Sequence, residues 1–305
     1  LSGPLLVFGA AGQLGREVMA LAAARDANAV GLARSAVDIT DADAVARAIA
    51  DAKPRLIVNC AAYTAVDRAE TEPELAAAIN ATGAGVLAQA ADRAGIPILH
   101  ISTDYVFDGS KTGAYREDDP IAPLGIYGRT KAEGEALVRA VPRHVILRTA
   151  WVYGEYGNNF LKTMLRLARE RDQLRVVADQ RGCPTATIDI AEAIFAVDAL
   201  LQAPESGGQG FGTYHFAGTG ATTWHGFAQA IVEAQAGHTG KSPPVAPITT
   251  ADFPTPAKRP ANSELDSSLF AKTFAYRAAY WPLRMRQVIE TLFEEPSDQR
   301  TAKPS

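Results

Sequence analysis

The chain has 305 residues, 47% hydrophobic and 21% charged, enough apolar material for one large or two smaller domains and too much for a disordered chain. Lys plus Arg number 30 against 34 Asp plus Glu, a net charge of −4 with no basic run, so nucleic acid is not an expected partner. No apolar stretch is long enough for a membrane, "LSGPLLVFGAAG" lacks the basic lead of a signal peptide, and Cys60 and Cys183 form no CxxC; the expectation is a soluble, cytoplasmic protein without disulfides or zinc.

The first half alternates. "PLLVFG" reads as a buried strand and "QLGREVMALAAAR" as a helix; "NAVGLA" is a second strand. "TDADAVARAIADAKP" is a second helix, with Thr40 expected as its N-cap and Pro54 at its exit. "RLIVNCAA", "IPILHIST" and "HVILRTA" are three more strands, separated by the helices "EPELAAAINATGAGVLAQAADRAG" and "IYGRTKAEGEALVRAV". The strands are continuous apolar runs, as a parallel sheet covered on both faces requires. The predicted class is α/β, a Rossmann-type doubly wound sheet. After residue 150 the regularity breaks into amphipathic helices, short strands and Gly/Pro-rich connections. The expected domains are a nucleotide-binding unit at 1–150, joined by part of 180–225, a smaller mixed α/β substrate-binding portion at 151–295, and a polar tail at 296–305.

Gly9, Gly12 and Gly15 fall between the first strand and first helix. A pyrophosphate needs such a loop: a tight turn, close backbone approach, and a helix N-terminus with free N–H groups. The spacing is G-x-x-G-x-x-G. No carboxylate stands at the end of the second strand to hold a ribose hydroxyl; Arg34 is there instead. Arg34 either takes a 2′-phosphate, which favours NADPH over NADH, or is a solvated loop residue. Asp38 and Ile39 border the adenine side, and Ala61, Ala62 and Tyr63 end the third strand, at the sheet edge where ligands bind.

The fourth strand ends in Ser102, Thr103 and Asp104, and the "IYGRTK" helix places Tyr127 and Lys131 one turn apart on one face. A lysine there is expected to favour the phenolate and hold the nicotinamide ribose. Tyr127 is the expected proton donor to an oxygen that becomes an alkoxide, with Thr103 donating to the same oxygen. Trp151 either stacks on a sugar or base, or is core. Asn158 and Asn159 open a helix, so one of them can be only a cap. Arg259 either neutralises a diphosphate or is a surface charge. His100 forms no ligand pattern and reads as a core residue.

The glycine loop, "STDYVFDG" and the Tyr-x-x-x-Lys pair resemble the extended short-chain dehydrogenase/reductases. "FGAAGQLG", "NCAAYTAVDRAE", "YGRTKAEGE", "RTAWVYGEYGNNFLKTML", "DQRGCPTATIDIAEAI" and "RPANSELD" carry the resemblance along nearly the whole chain. "NCAAYTAVD" and "RTAWVYG" set it apart from sugar-nucleotide epimerases of the same fold. The resemblance implies hydride transfer from NAD(P)H to C4 of dTDP-4-dehydro-β-L-rhamnose, giving dTDP-β-L-rhamnose. It implies Tyr127 as acid with Lys131 and Thr103 assisting. It implies cofactor contacts from Gln13, Leu14, Asp38, Ile39, Ala61, Ala62 and Tyr63, and nucleotide-sugar contacts from Val66, Asp104 and Trp151. Asn159 and Arg259 complete the candidate substrate set. Some members carry Mg2+ at a homodimer contact made by glutamates; Glu17, Glu192 and Glu290 fall near the matching places, where the plain alternative is solvated charge. Cys183 stands where the family often has Ser, a neutral departure. Two other functions remain open: a non-catalytic NADP-binding regulatory subunit, and an epimerase with tightly held NAD.

Overall fold

The computed structural model describes residues 3–203 and 209–294. The tail expected at 296–305 lies outside the described residues. The strands β1 (Leu5–Phe8), β2 (Ala29–Leu32), β3 (Leu56–Asn59), β4 (Ile98–Thr103) and β5 (His144–Thr149) lie parallel in the spatial order β2-β1-β3-β4-β5. Between them run α1 (Gln13–Ala24), α2 (Ala42–Ala52), the short α3 (Val66–Ala69) and α4 (Pro73–Ala77), α5 (Ala84–Ala94) and α6 (Ile126–Arg139). The chain leaves β1 for β2 on one side and reaches β3 on the other. That reversal opens a crevice beyond the carboxyl ends of β1 and β3, the usual ligand position in such sheets.

The second half contributes β6 (Val152–Tyr153), α7 (Phe160–Glu170), β7 (Leu174–Val177), β8 (Arg181–Gly182), β9 (Thr185–Ala186) and α8 (Thr187–Gln202). It continues with β10 (Gly212–His215), β11 (Thr222–Thr223), α9 (Trp224–Thr239), β12 (Val245–Ile248), β13 (Asn262–Ser263), α10 (Ser268–Phe274) and α11 (Trp281–Glu294). β10 pairs parallel with β5 and is the sixth strand of the central sheet. Successive strand residues point to opposite faces. Leu5, Val7, Leu56, Val58 and Leu99 therefore pack under Val18 of α1 and Ile190, Ile194 and Val197 of α8. Leu6, Phe8, Ile57, Ile98 and Ile146 pack under Val45 and Ile49 of α2, Leu87 of α5 and Val138 of α6. A separate core joins Leu161 and Leu165 of α7, Phe227 and Ile231 of α9, and Met285 and Ile289 of α11.

Two local features differ from the sequence expectation. The cap of α2 is Asp41, whose carboxylate accepts the N–H groups of Asp43 and Ala44; Thr40 instead donates its hydroxyl to Asp38 at 2.8 Å. The long helix expected from "EPELAAAINATGAGVLAQAADRAG" is broken by a π turn at Ala78–Gly83. The turn buries Asn80, which accepts the Tyr63 N–H at 2.8 Å and donates to Thr130 Oγ1 at 3.1 Å. Insertions of this kind recur at functional sites, and here the buried amide ties the loop after β3 to α6.

Candidate active site

Gly9 turns the chain at the end of β1 with φ of 78°, and a Cβ there would lie 2.6 Å from the Ala61 backbone N. Gly12 is the N-cap of α1, and no acidic residue occupies the first turn. Helix dipole and unfilled backbone thus favour an anion. A cavity of about 210 Å3 opens beside this loop, lined by Gly9, Gly12, Arg34, Asp38, Ile39, Cys60, Ala61 and Ala62 among others. Arg34 stands at its rim. Asp38 returns beside it, with Arg34 Nε 3.5 Å from Asp38 Oδ2, because the chain turns after β2 with the Ala36 and Val37 N–H groups on the Ala33 carbonyl. A carboxylate therefore does face this cavity, held below its ordinary pKa by hydrogen bonds from Thr40. The Tyr63 backbone sits at the strand end, while its hydroxyl donates to Glu72 at 2.5 Å.

A larger cleft of about 450 Å3 shares Gly12, Cys60 and Ala62 with that cavity and continues past Gln13 and Leu14 to the ends of β4 and β5. Thr103, Asp104, Tyr127 and Lys131 line it together, with Val66, Trp151 and Asn159. The Glu70 carboxylate accepts the Ile126 N–H at 2.8 Å and so fixes the first turn of α6, where Tyr127 stands. Thr103 Oγ1 donates to Asp104 Oδ1 at 2.9 Å and accepts the Tyr105 N–H at 3.2 Å. Burial pushes the Tyr127 hydroxyl up to about 12, opposed by its hydrogen bond with Thr103. Burial pushes Asp104 up to about 6, opposed by the Ser263 and Thr103 hydroxyls, and its Oδ2 makes no hydrogen bond of ordinary geometry among the described residues. Lys131 is almost fully buried and driven down to about 8 by that burial. Its Nζ donates to the Ile101 carbonyl at 2.6 Å and lies 3.3 Å from His100 Nε2. Tyr127 is half-buried at the wall of the cleft and Lys131 lies behind it, so in the ligand-free protein burial opposes both the phenolate and the ammonium.

The C-terminal half closes the cleft. Asn159 caps α7, accepting the Lys162 N–H at 3.1 Å, and its amide donates to Gln13 Oε1 at 3.0 Å and the Gly154 carbonyl at 2.8 Å. Trp151 adopts φ of 48° and stacks on Trp224 with centroids 3.6 Å apart. Under it lies Gly182, where a Cβ would sit 2.4 Å from Trp151 Cε2. Arg259 lines a neighbouring cavity of about 520 Å3 with Arg175, Phe253, Gln180 and Trp224. There its guanidinium is bidentate on Asp67, at 2.8 and 3.1 Å. Trp224, Tyr105 and Arg175 escaped the sequence reading. Trp224 directly follows the capping Thr223, in "TTWHGF", and an aromatic at that helix start was the available signal.

Glu17, Glu192 and Glu290 do not converge within the chain. Glu17 is buried and accepts the Thr187 hydroxyl at 2.5 Å, Glu192 pairs with Arg25, and Glu290 lies exposed on α11. Among the described residues no three His, Cys, Asp or Glu side chains form a metal site. No helix among them is long and apolar enough to cross a membrane.

A parallel sheet with a glycine loop at its switch point and Thr103, Tyr127 and Lys131 in the adjoining cleft has the architecture of the extended short-chain dehydrogenase/reductases. Residues 3–293 match the family described as RmlD substrate binding domain, and the chain belongs to that family. It is 43% identical over 295 residues to a dTDP-4-dehydrorhamnose reductase of Sinorhizobium fredii, covering 96% of this chain and 99% of that one. The crystal structure of a dTDP-4-dehydrorhamnose reductase from Clostridium acetobutylicum superposes with a TM-score of 0.87 at 39% identity, covering 95% of this chain and 99% of that one. A Bacillus anthracis dTDP-4-dehydrorhamnose reductase in complex with NADP gives a TM-score of 0.87 at 33% identity, over 95% of this chain and 100% of that one.

Proposed function

We propose that this protein reduces the C4 carbonyl of dTDP-4-dehydro-β-L-rhamnose, giving dTDP-β-L-rhamnose. The observation that carries the reading is the meeting of Thr103, Tyr127 and Lys131 in one cleft that shares its wall with the glycine-loop cavity. NAD(P)H, when bound, supplies the hydride. Gly9, Gly12, Gln13, Ala61 and Ala62 are the residues to hold it, because their backbone and small side chains leave the loop open to an anion. Arg34 at the rim supports NADPH as the preferred form, while Asp38 beside it leaves the NADH ribose an acceptor.

Tyr127 holds the proton that O4 receives, and its raised pKa keeps that proton in place at neutral pH. Thr103 donates to the same oxygen once substrate draws its hydroxyl from Asp104. Asp104 Oδ2, which only the Ser263 hydroxyl approaches, then accepts a sugar hydroxyl. Val66, Trp151 and Trp224 enclose the sugar, and Asn159 fixes Gln13 beside it. Residues 1–150 with part of 180–225 act as the cofactor unit and 151–295 as the substrate portion; the placing of α8 and β10 on the central sheet supports that division. A cytoplasmic location fits a reaction that draws on NAD(P)H and a nucleotide sugar.

The test follows NADPH absorbance with dTDP-4-dehydrorhamnose made in place by a dehydratase and an epimerase. Oxidation that stops when the epimerase is left out is the expected result. No oxidation, with NADPH still binding, would overturn the reading in favour of a non-catalytic subunit.

A further inference from the structure

The tryptophan pair between β5 and α9 carries an inference that rests on the reading above that the cleft holds a nucleotide sugar. Trp151 follows the end of β5 with φ of 48°. A bulky residue is an outlier in that left-handed region and persists there only where its surroundings over-determine it. The backbone is held by the Thr185 N–H, which donates to the Trp151 carbonyl at 3.2 Å where β6 begins to pair with β9. The side chain is held twice. On one face the Trp224 indole stacks at 3.6 Å between centroids, 7° from parallel. A Cβ on Gly182 would stand 2.4 Å from Trp151 Cε2, 2.6 Å from Nε1 and 2.8 Å from Cζ2. Those similar distances put the β8 backbone over the ring, on the face that Trp224 leaves open. Both faces of Trp151 are therefore covered, and it meets the sugar cleft with an edge.

The two jaws of this clamp are joined to each other. β11 pairs antiparallel with β8, with Thr222 opposite Gly182, and Trp224 is the residue directly after β11. The width of the slot is thus fixed by a strand pair and not by the indole inside it. Trp224 is fixed in turn. It opens α9, whose N-cap Thr223 accepts the Gly226 N–H at 3.0 Å, and Phe160 of α7 packs on it at 4.6 Å between centroids. With Trp151 on one face and Phe160 beside it, Trp224 keeps little surface for a ligand. Neither tryptophan lines the glycine-loop cavity.

We propose that Trp224 is a positioning residue for the nucleotide sugar: with the β8 backbone it clamps Trp151 edge-on as a rigid wall of the cleft, and it acts on the sugar through Trp151. Such a wall sets where the sugar stops, and so how its C4 carbonyl meets Thr103 and Tyr127. Reaction rate depends steeply on that placement.

The test titrates dTDP-β-L-rhamnose, the product of the proposed reaction, into the protein loaded with NADP+, and records the indole N–H signals of the ligand-free protein by NMR. The chain has three tryptophans, Trp151, Trp224 and Trp281, so Trp151→Phe and Trp224→Phe assign the signals. Trp224→Leu should shift the Trp151 signal, because the ring current of the stacked indole is lost. It should weaken dTDP-rhamnose binding about tenfold, the upper end of what one aromatic pair contributes. NADP+ affinity should stay within about twofold, as for an independent site. Trp224→Phe keeps an aromatic face and should bind the sugar within about threefold of wild type. In a protein already carrying Trp151→Ala, Trp224→Leu should cause no further loss. Losses that add in the double variant would show Trp224 holding the sugar directly and overturn the proposal. So would an equal loss of NADP+ affinity, an unmoved Trp151 signal, or unchanged sugar binding in Trp224→Leu. Binding needs no turnover. A protein that binds dTDP-rhamnose as described without oxidising NADPH would end the reductase reading and leave the clamp standing, whereas a wild-type protein that does not bind dTDP-rhamnose would overturn the clamp.

Discussion

Asn159 and Gln13, 146 residues apart in the chain, are joined by a hydrogen bond of 3.0 Å across the cleft. One side chain thereby caps α7 and steadies the first residue of α1, beside the glycine loop. Asn159→Asp keeps the cap acceptor and loses the amide. It should raise KM for NADPH and sugar roughly fivefold, the worth of one hydrogen bond of about 1 kcal/mol, and also lower the melting temperature, because a carboxylate oxygen then faces the Gly154 carbonyl that the amide served. Asn159→Ala loses both roles, costs about 1 kcal/mol and lowers Tm by about 2–4 °C. Steady-state kinetics and thermal melts of these variants, set beside Gln13→Ala, which removes only the contact across the cleft, separate the contact from the cap.

Tyr127→Phe removes only the hydroxyl that meets Thr103. The ring contact with Tyr105, at 5.4 Å between centroids, is retained. The variant should fold and bind NADPH while kcat falls about 10²–10⁴-fold. Cofactor titration by fluorescence and single-turnover reduction give the two readouts. Unchanged turnover would remove Tyr127 from proton transfer.

Asp104 is a buried carboxyl with one oxygen that makes no hydrogen bond of ordinary geometry, and burial lifts it from 3.8 to about 6. Its folded pKa lies above its unfolded one. Its contribution to stability is therefore complete below the unfolded pKa and is lost as pH rises through the folded pKa. Asp104→Asn removes that loss and keeps an acceptor for Thr103. The ligand-free variant should be more stable than wild type above about pH 7, by on the order of 2 kcal/mol, and lose the advantage near about pH 4. Urea unfolding at both pH values checks the sign. The same variant should bind sugar more weakly.

Gly182→Ala places a methyl group against the Trp151 indole, which must then slide on Trp224. Stability should fall by about 1–3 kcal/mol, and sugar KM should rise roughly tenfold with NADPH affinity little changed. Tryptophan fluorescence reports the displacement and the titrations report its effect.

The central sheet was legible because its strands are short apolar runs spaced by helical periodicity, and Gly9, Thr103, Tyr127 and Lys131 each sit at a junction that periodicity exposes. What stayed hidden depends on contacts between distant residues. β10 joins β5 only through backbone pairing across more than sixty residues. The π turn adds no change of hydrophobic period, so Asn80 looked like any helical residue. Asp38 meets Arg34 through a turn after β2, and Asp41 takes the cap expected of Thr40 because Thr40 is bonded to Asp38. Trp151 and Trp224 stack through a fold-level encounter that neither local segment announces. The charge state of Lys131 follows from what surrounds it, and sequence alone showed only the phenol one turn away.

Gly12, Cys60 and Ala62 are common to the walls of both cavities. Dinucleotide and sugar bound there would rest against the same three small residues and against each other. Their affinities are then linked: whatever factor the first ligand adds to the second, the second returns to the first, whichever arrives earlier. Reciprocity of that kind is a property of the shared wall at equilibrium and holds for either order of binding.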